Sequence, residues 1–174
     1  MVKTLFWLDL RGWKVVGVAI LSRSMSYLKK SPVRRLHLID LENLAGRPVV
    51  SIQHAEEVAQ RLNTCRPPGE TDLRAVGVAH SSGFAAKFAF PEAHVRWRSG
   101  KDGGDLVLLD YAAQLPFSRF DELVVASADA IFAGTVIKAR REGLKVTIVA
   151  DKARASFRYL RTADQVIHFP AVAA

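Results

Sequence analysis

The chain has one cysteine, Cys65, in 174 residues. No intramolecular disulfide can form, a cysteine-based zinc centre is excluded, and a reducing, cytoplasmic setting is expected. Histidine is sparse too: there are five, none in a His-x-x-His or Cys-His spacing that would suit zinc. No Gly-x-Gly-x-x-Gly or Walker-type lysine loop follows a strand-like run, which argues against a dinucleotide or nucleoside-triphosphate fold. The apolar run over residues 15–21 is far shorter than the roughly 20 residues of a membrane span, so no transmembrane helix is expected. Seven prolines and eleven glycines follow no period, which excludes a collagen-like chain.

What is present suits one globular domain. Hydrophobic residues make up 49% and charged residues 24%, enough apolar material for a single core and too much for a disordered chain. The net charge of +8 is unevenly placed. Residues 1–35 hold eight Lys or Arg against Asp9, a balance of +7, and the rest holds 17 against 16 acids. The basic excess therefore belongs to an N-terminal extension, expected to be poorly ordered, rather than to the body of the protein. Asp9 ahead of the apolar run and the Ser22-Arg23-Ser24 stretch behind it make a poor signal peptide, and Met25 offers an alternative start. The domain is expected over residues 36–170, with 171–174 as a tail.

Within the domain, short apolar runs alternate with segments of helical period, the pattern of crossover helices covering both faces of a mainly parallel sheet. Six strands are expected, over residues 36–41, 74–80, 94–98, 122–126, 145–150 and 165–169. Ile52, Ala55, Val58, Ala59 and Leu62 share one helical face opposite Gln53, Glu56, Glu57 and Gln60. Further helices are expected over 104–115, ending before Pro116, over 130–142, capped by Gly143, and over 153–162.

In open α/β sheets functional groups collect at the carboxyl ends of the strands, and three acidic spots fall there. Asp40 closes the first apolar run, with Glu42 and Asn43 just behind it. Ser127 and Asp129 follow the run ending at Ala126. Asp105 stands in the first turn of the helix after Ser99-Gly100-Lys101-Asp102-Gly103-Gly104. Asp129 and Asp105 also suit simple helix-end roles. Asp40 needs more, because a carboxylate at that depth requires a partner, a cation or a raised pKa. Several carboxylates on one rim repel each other unless something positive lies between them. Oxygen ligands without cysteine suit Mg²⁺ or Mn²⁺ better than Zn²⁺. Such an ion can activate water for phosphodiester hydrolysis.

At these residues the sequence resembles the NYN branch of the PIN-like ribonuclease superfamily over nearly all of the domain. Leu38-Ile39-Asp40-Leu41-Glu42-Asn43-Leu44 is similar to the family's opening strand with its Asp-x-x-Asn signature. Lys101-Asp102-Gly103-Gly104-Asp105-Leu106, with Asp110, resembles the segment that starts its central helix, the lysine standing one residue further from the aspartate. Val125-Ala126-Ser127-Ala128-Asp129-Ala130-Ile131-Phe132 resembles its Ser-Gly-Asp-Ser-Asp-Phe motif. Arg140-Arg141-Glu142-Gly143-Leu144-Lys145-Val146 resembles the Arg-x-x-Gly-x-x-Val continuation, and Ala163-Asp164-Gln165-Val166-Ile167 the last strand.

The resemblance implies a three-layer α/β sandwich and a metal-dependent nuclease acting on RNA. Asp40, Asp105 and Asp129 would form the catalytic, metal-holding set with Mg²⁺ or Mn²⁺, and Asn43, Ser127, Glu42 and Asp110 would support it. One position departs: Ile131 stands where the family commonly carries a second aspartate, and isoleucine cannot ligate a cation. The alternative is thus a catalytically impaired RNA-binding or interaction protein on the same fold. A haloacid dehalogenase-like phosphatase ranks lower, because Asp40-Leu41-Glu42-Asn43-Leu44 lacks that family's Asp-x-Asp-x-Thr pattern.

Arg96, Arg98 and Lys101 are candidate RNA phosphate contacts, with Trp97 either stacking on a base or turned into the core. Phe84, Phe88 and Phe90 read as packing residues, and His80 as a structural histidine that can reach the same rim.

Overall fold

The computed structural model describes residues 32–169 and, before them, two short strands. These strands, β1 (Asp9–Leu10) and β2 (Trp13–Lys14), pair antiparallel within a unit of their own, Met1–Ser31. The rest of residues 1–31, and the tail, lie outside the described residues. The second unit begins at Pro32, earlier than the domain start expected at residue 36. The difference is physical, because the Arg34 amide donates to Asp121 and the Arg35 guanidinium pairs with Asp72 and Glu122.

The second unit is an α/β sandwich around a six-stranded, all-parallel sheet. Its strands are β3 (Arg35–Asp40), β4 (Leu73–Val78), β5 (His94–Trp97), β6 (Glu122–Ala126), β7 (Lys145–Ala150) and β8 (Gln165–His168). They lie in the order β5-β4-β3-β6-β7-β8. The chain steps outward from β3 in one direction, then returns across the sheet to build the other half from β6. The reversal falls between β3 and β6, the topological switch point where ligands bind in such sheets.

Period-two alternation sends side chains to opposite layers. Ile39, Val76, Val78 and Val124 join the core under α1 (Leu41–Ala45), α2 (Ile52–Cys65) and α3 (Gly83–Ala89). Leu36, Leu38, Leu123, Val125, Val146 and Ile148 join the core with α4 (Gly103–Gln114), α5 (Ala133–Arg141) and α6 (Phe157–Leu160). Each fully buried Leu or Ile contributes on the order of 1.5–3 kcal/mol. Two continuous apolar layers therefore hold the sheet between its helices.

Three expectations need correction. Leu41 opens α1 rather than ending β3, because the Asp40 carboxylate caps the chain into a helical turn. The helix expected over 153–162 shrinks to Phe157–Leu160. Before it, Asp151 bonds the amide of Ala153 and turns the chain, and Ser156 caps the short helix. Phe84 and Phe88 are not core residues: they are 76% and 58% exposed, while Phe90 is buried. Among the described residues no helix is long and apolar enough to cross a membrane.

Candidate functional site

Asp40 is two residues past Leu38 on β3, so alternation turns it toward the α4 layer. It is only 5% exposed. Its Oδ1 accepts from the Asn43 amide at 3.1 Å and its Oδ2 from the Ser127 hydroxyl at 2.8 Å. The β3–β4 register sets Gly77 beside Asp40. A Cβ on Gly77 would fall 2.3 Å from the Gly104 carbonyl and 2.4 Å from Leu108 Cγ. The absence of that carbon lets the start of α4 rest directly on β4. Asp105, the next residue along, thereby comes close enough to Asp40 for the two carboxyl groups to act on each other's charge.

Two carboxyl groups brought so close resist carrying two negative charges. Burial pushes Asp40 well above the usual carboxylate range, and the charge of Asp105 and the bond to it push the same way. Burial also raises Asp105, as do the charges of Asp129, Asp102 and Glu42, whereas its bond with Asp40 lowers it. Both carboxyl groups therefore lie above the usual carboxylate range, Asp40 well above it.

The other expected residues divide. Ser127, two past Val125, turns toward Asp40 while accepting from the Asp129 amide at 3.0 Å. Asn43 serves Asp40 through its backbone, and its side-chain oxygen accepts from the Ala128 amide at 3.0 Å, tying α1 to the loop after β6. Asp129 adopts its helix-end role: Oδ1 accepts from the Ile131 amide at 2.9 Å, leaving the exposed residue on the rim close enough to charge Asp105. Glu42 accepts from the Ala79 amide and the Ser82 hydroxyl, both at 2.9 Å, and so anchors the loop after β4. Asp110 lies apart, paired with Arg98 at 3.0 Å. Arg96 stacks over the Tyr111 ring at 4.9 Å, and Lys101 is exposed. His80 is exposed, at the start of a 3-10 turn after β4.

Two residues, Arg154 and Tyr159, escaped the sequence reading. A pocket of about 270 Å³ opens beside Asp129, lined by Asn43, Ala128, Asp129, Ala130, Arg154 and Ser156. Arg154 donates to the Asn43 carbonyl at 2.7 Å, which holds a cation over the rim. Tyr159 is buried nearby, its hydroxyl without a hydrogen-bond partner among the described residues. Burial raises its pKa, and the charges of Asp129 and Asp40 add to the effect. The available signal was positional, since Asp151 to Arg154 follow the apolar run of β7 as Ser127 and Asp129 follow β6.

No protein-family model matches the chain. No curated protein matches it either. Among solved structures it is similar to a protein of unknown function from Vibrio parahaemolyticus, at a TM-score of 0.58 and 13% identity, over 79% of this chain and 93% of that one. That likeness shows the fold.

The donor set suits a hard divalent cation. It consists of oxygen atoms alone, and two of its carboxyl groups, Asp40 buried and Asp105 half-buried, lie close together with raised pKa values that a cation would reverse. Among the described residues no three His, Cys, Asp or Glu side chains stand together as a ready-made cage. Asp40 and Asp105 would be the protein ligands, and Mg²⁺ characteristically takes one or two carboxylates and completes its shell with water and phosphate oxygens.

Proposed function

We propose that this protein is a metal-dependent ribonuclease of the NYN kind, hydrolysing RNA phosphodiester bonds at the carboxyl rim between β3 and β6. The observation that carries the reading is the buried Asp40 carboxyl with the half-buried Asp105 carboxyl beside it at the topological switch point. Two carboxyl groups pressed together with raised pKa values are costly to a fold and useful to a cation site. Mg²⁺ or Mn²⁺ held there would supply Lewis-acid polarisation of a phosphoryl oxygen and a lowered pKa for bound water.

The chain's own residues do the rest. The Asn43 amide and Ser127 hydroxyl fix the orientation of the Asp40 carboxyl. Arg154, braced on the Asn43 carbonyl, sets a positive charge at the pocket mouth where a phosphate would lie. Purified protein is expected to cleave single-stranded or structured RNA with Mn²⁺ or Mg²⁺, and EDTA and Asp40→Asn should each abolish cleavage.

A second reading is favoured by one observation. Ile131 is 37% exposed on the rim, where another carboxylate would complete the set. On that reading the protein binds RNA without cutting it. Wild-type protein that binds RNA yet leaves it intact with both metals decides for binding alone.

A further inference from the structure

Phe84 and Phe88 stand one turn apart on α3, so they share a face, and both are more than half exposed. The indole of Trp97 lies against the first residue of that helix: a Cβ on Gly83 would meet Trp97 Cε3 at 3.6 Å. Trp97 is itself 53% exposed. Three large aromatic side chains, two on α3 and one at the end of the edge strand β5, are thus exposed, which is unusual for a packed domain.

This patch is linked to the carboxyl pair from both of its ends. Ser82, immediately before Gly83, donates to Glu42 Oε1 at 2.9 Å, and Glu42 contributes to the field at Asp105. Trp97 leads through a short loop into α4 and Asp105. Lys87 on α3 and Lys101 in the loop before α4 add exposed cations to this stretch, whereas Arg96 and Arg98 turn to Tyr111 and Asp110 of α4. Aromatic rings interleaved with cations form the surface that single-stranded nucleic acid requires, since every base offers a face to stack and every linkage a charge to neutralise.

We propose that Trp97 and Phe84 form a base-stacking platform that receives single-stranded RNA leading away from the Asp40–Asp105 site. The proposal rests on the ribonuclease reading for its direction, and it specifies the substrate as unpaired RNA. Phe88 extends the surface by one turn of α3. A duplex keeps its bases stacked on one another and cannot use such a platform.

The test is fluorescence anisotropy with a labelled 12-nucleotide oligouridylate in EDTA, where no metal-dependent cleavage competes. Trp97→Ala and Phe84→Ala should each weaken binding about 5- to 100-fold, and Trp97→Phe should restore most of it. A labelled RNA duplex should bind all variants alike. Circular dichroism melting should match wild type, because both residues are largely exposed. Unchanged single-strand affinity in both alanine variants overturns the platform. So does a wild-type dimer in sedimentation that Phe84→Ala converts to monomer, because the patch would then serve a second copy of the chain. A separate Mn²⁺ cleavage assay distinguishes the two ideas. Binding lost in the variants with no cleavage by wild type keeps the platform and removes the nuclease. Cleavage with unchanged affinities does the reverse.

Discussion

Asp40 concentrates the residue-scale argument. Its folded-state pKa lies above the ordinary carboxylate value, so the native state holds a proton that the unfolded chain releases. Its contribution favours folding at low pH and is lost as pH rises from about 4 through the raised value. Asp40→Asn keeps a hydrogen-bonding group toward Asp105 without a charge. In EDTA at pH 7 it should raise stability by about 0.5–2 kcal/mol, read as a higher Tm, and flatten the decline of Tm with pH. Wild type alone should gain Tm on adding Mg²⁺ or Mn²⁺, because a ligand bound only by the native state stabilises it. An equal gain in the variant would place the metal elsewhere. Arg154 is the second residue to test. Arg154→Ala should weaken RNA binding and lower the slope of log affinity against log salt by about 1, as loss of one phosphate contact does. Asp40 was legible in the sequence because a carboxylate ending an apolar strand needs an explanation. Arg154 was not, because an exposed arginine on a turn looks like any other until the pocket beside it is known.

At the scale of elements, the site depends on how closely α4 approaches β4. Alternation puts Ala75 and Gly77 on the α4 face of β4, and Gly104 carries α4 over them. Gly77→Ala inserts a carbon into space already held by backbone and Leu108, and α4 must retreat. We expect a loss of about 1–3 kcal/mol in urea unfolding, together with a fall in RNA cleavage greater than the lost stability explains at assay temperature. Retained activity would show that the Asp40–Asp105 contact does not depend on this packing. The strands over 122–126 and 145–150 and the closing Gly143 were readable from apolar runs and turn chemistry. Helices α1 and α3 were not. The first is five residues built on a cap, and the second exposes the phenylalanines that a sequence reading assigns inward.

Across the whole molecule the two rims of the sheet respond oppositely to pH. At the amino rim the buried His37 ring bonds Asp72 at 2.9 Å, and Arg35 and Arg66 pair with Glu122. Burial lowers His37 although Asp72 pulls the other way. Burial would raise Asp72, but the His37 ring, the Gly69 amide and Arg35 outweigh it and bring the group to about 2. Both shifts are downward. Stability from His37 fades as pH falls below about 6.5. That from Asp72 is complete above its unfolded value and disappears as pH falls through about 2. Acid should therefore loosen the amino rim while relieving the carboxyl rim. Asp72→Ala is expected to cost about 3–5 kcal/mol at pH 7, and the deficit should shrink toward pH 2 in denaturant titrations. A deficit constant with pH would show that packing, not charge, was lost.

Local patterning by itself determined the alternation of strands and helices, the acids at strand ends and the parallel sheet, because apolar period and turn chemistry are written in neighbouring residues. Strand register and helix approach depend on which distant segments share a face. Only the tertiary structure therefore decided that Asp105 meets Asp40 while Asp129 turns to its own backbone, and that Arg154 and Tyr159 join them. The same long-range packing left Trp97 and Phe84 facing solvent.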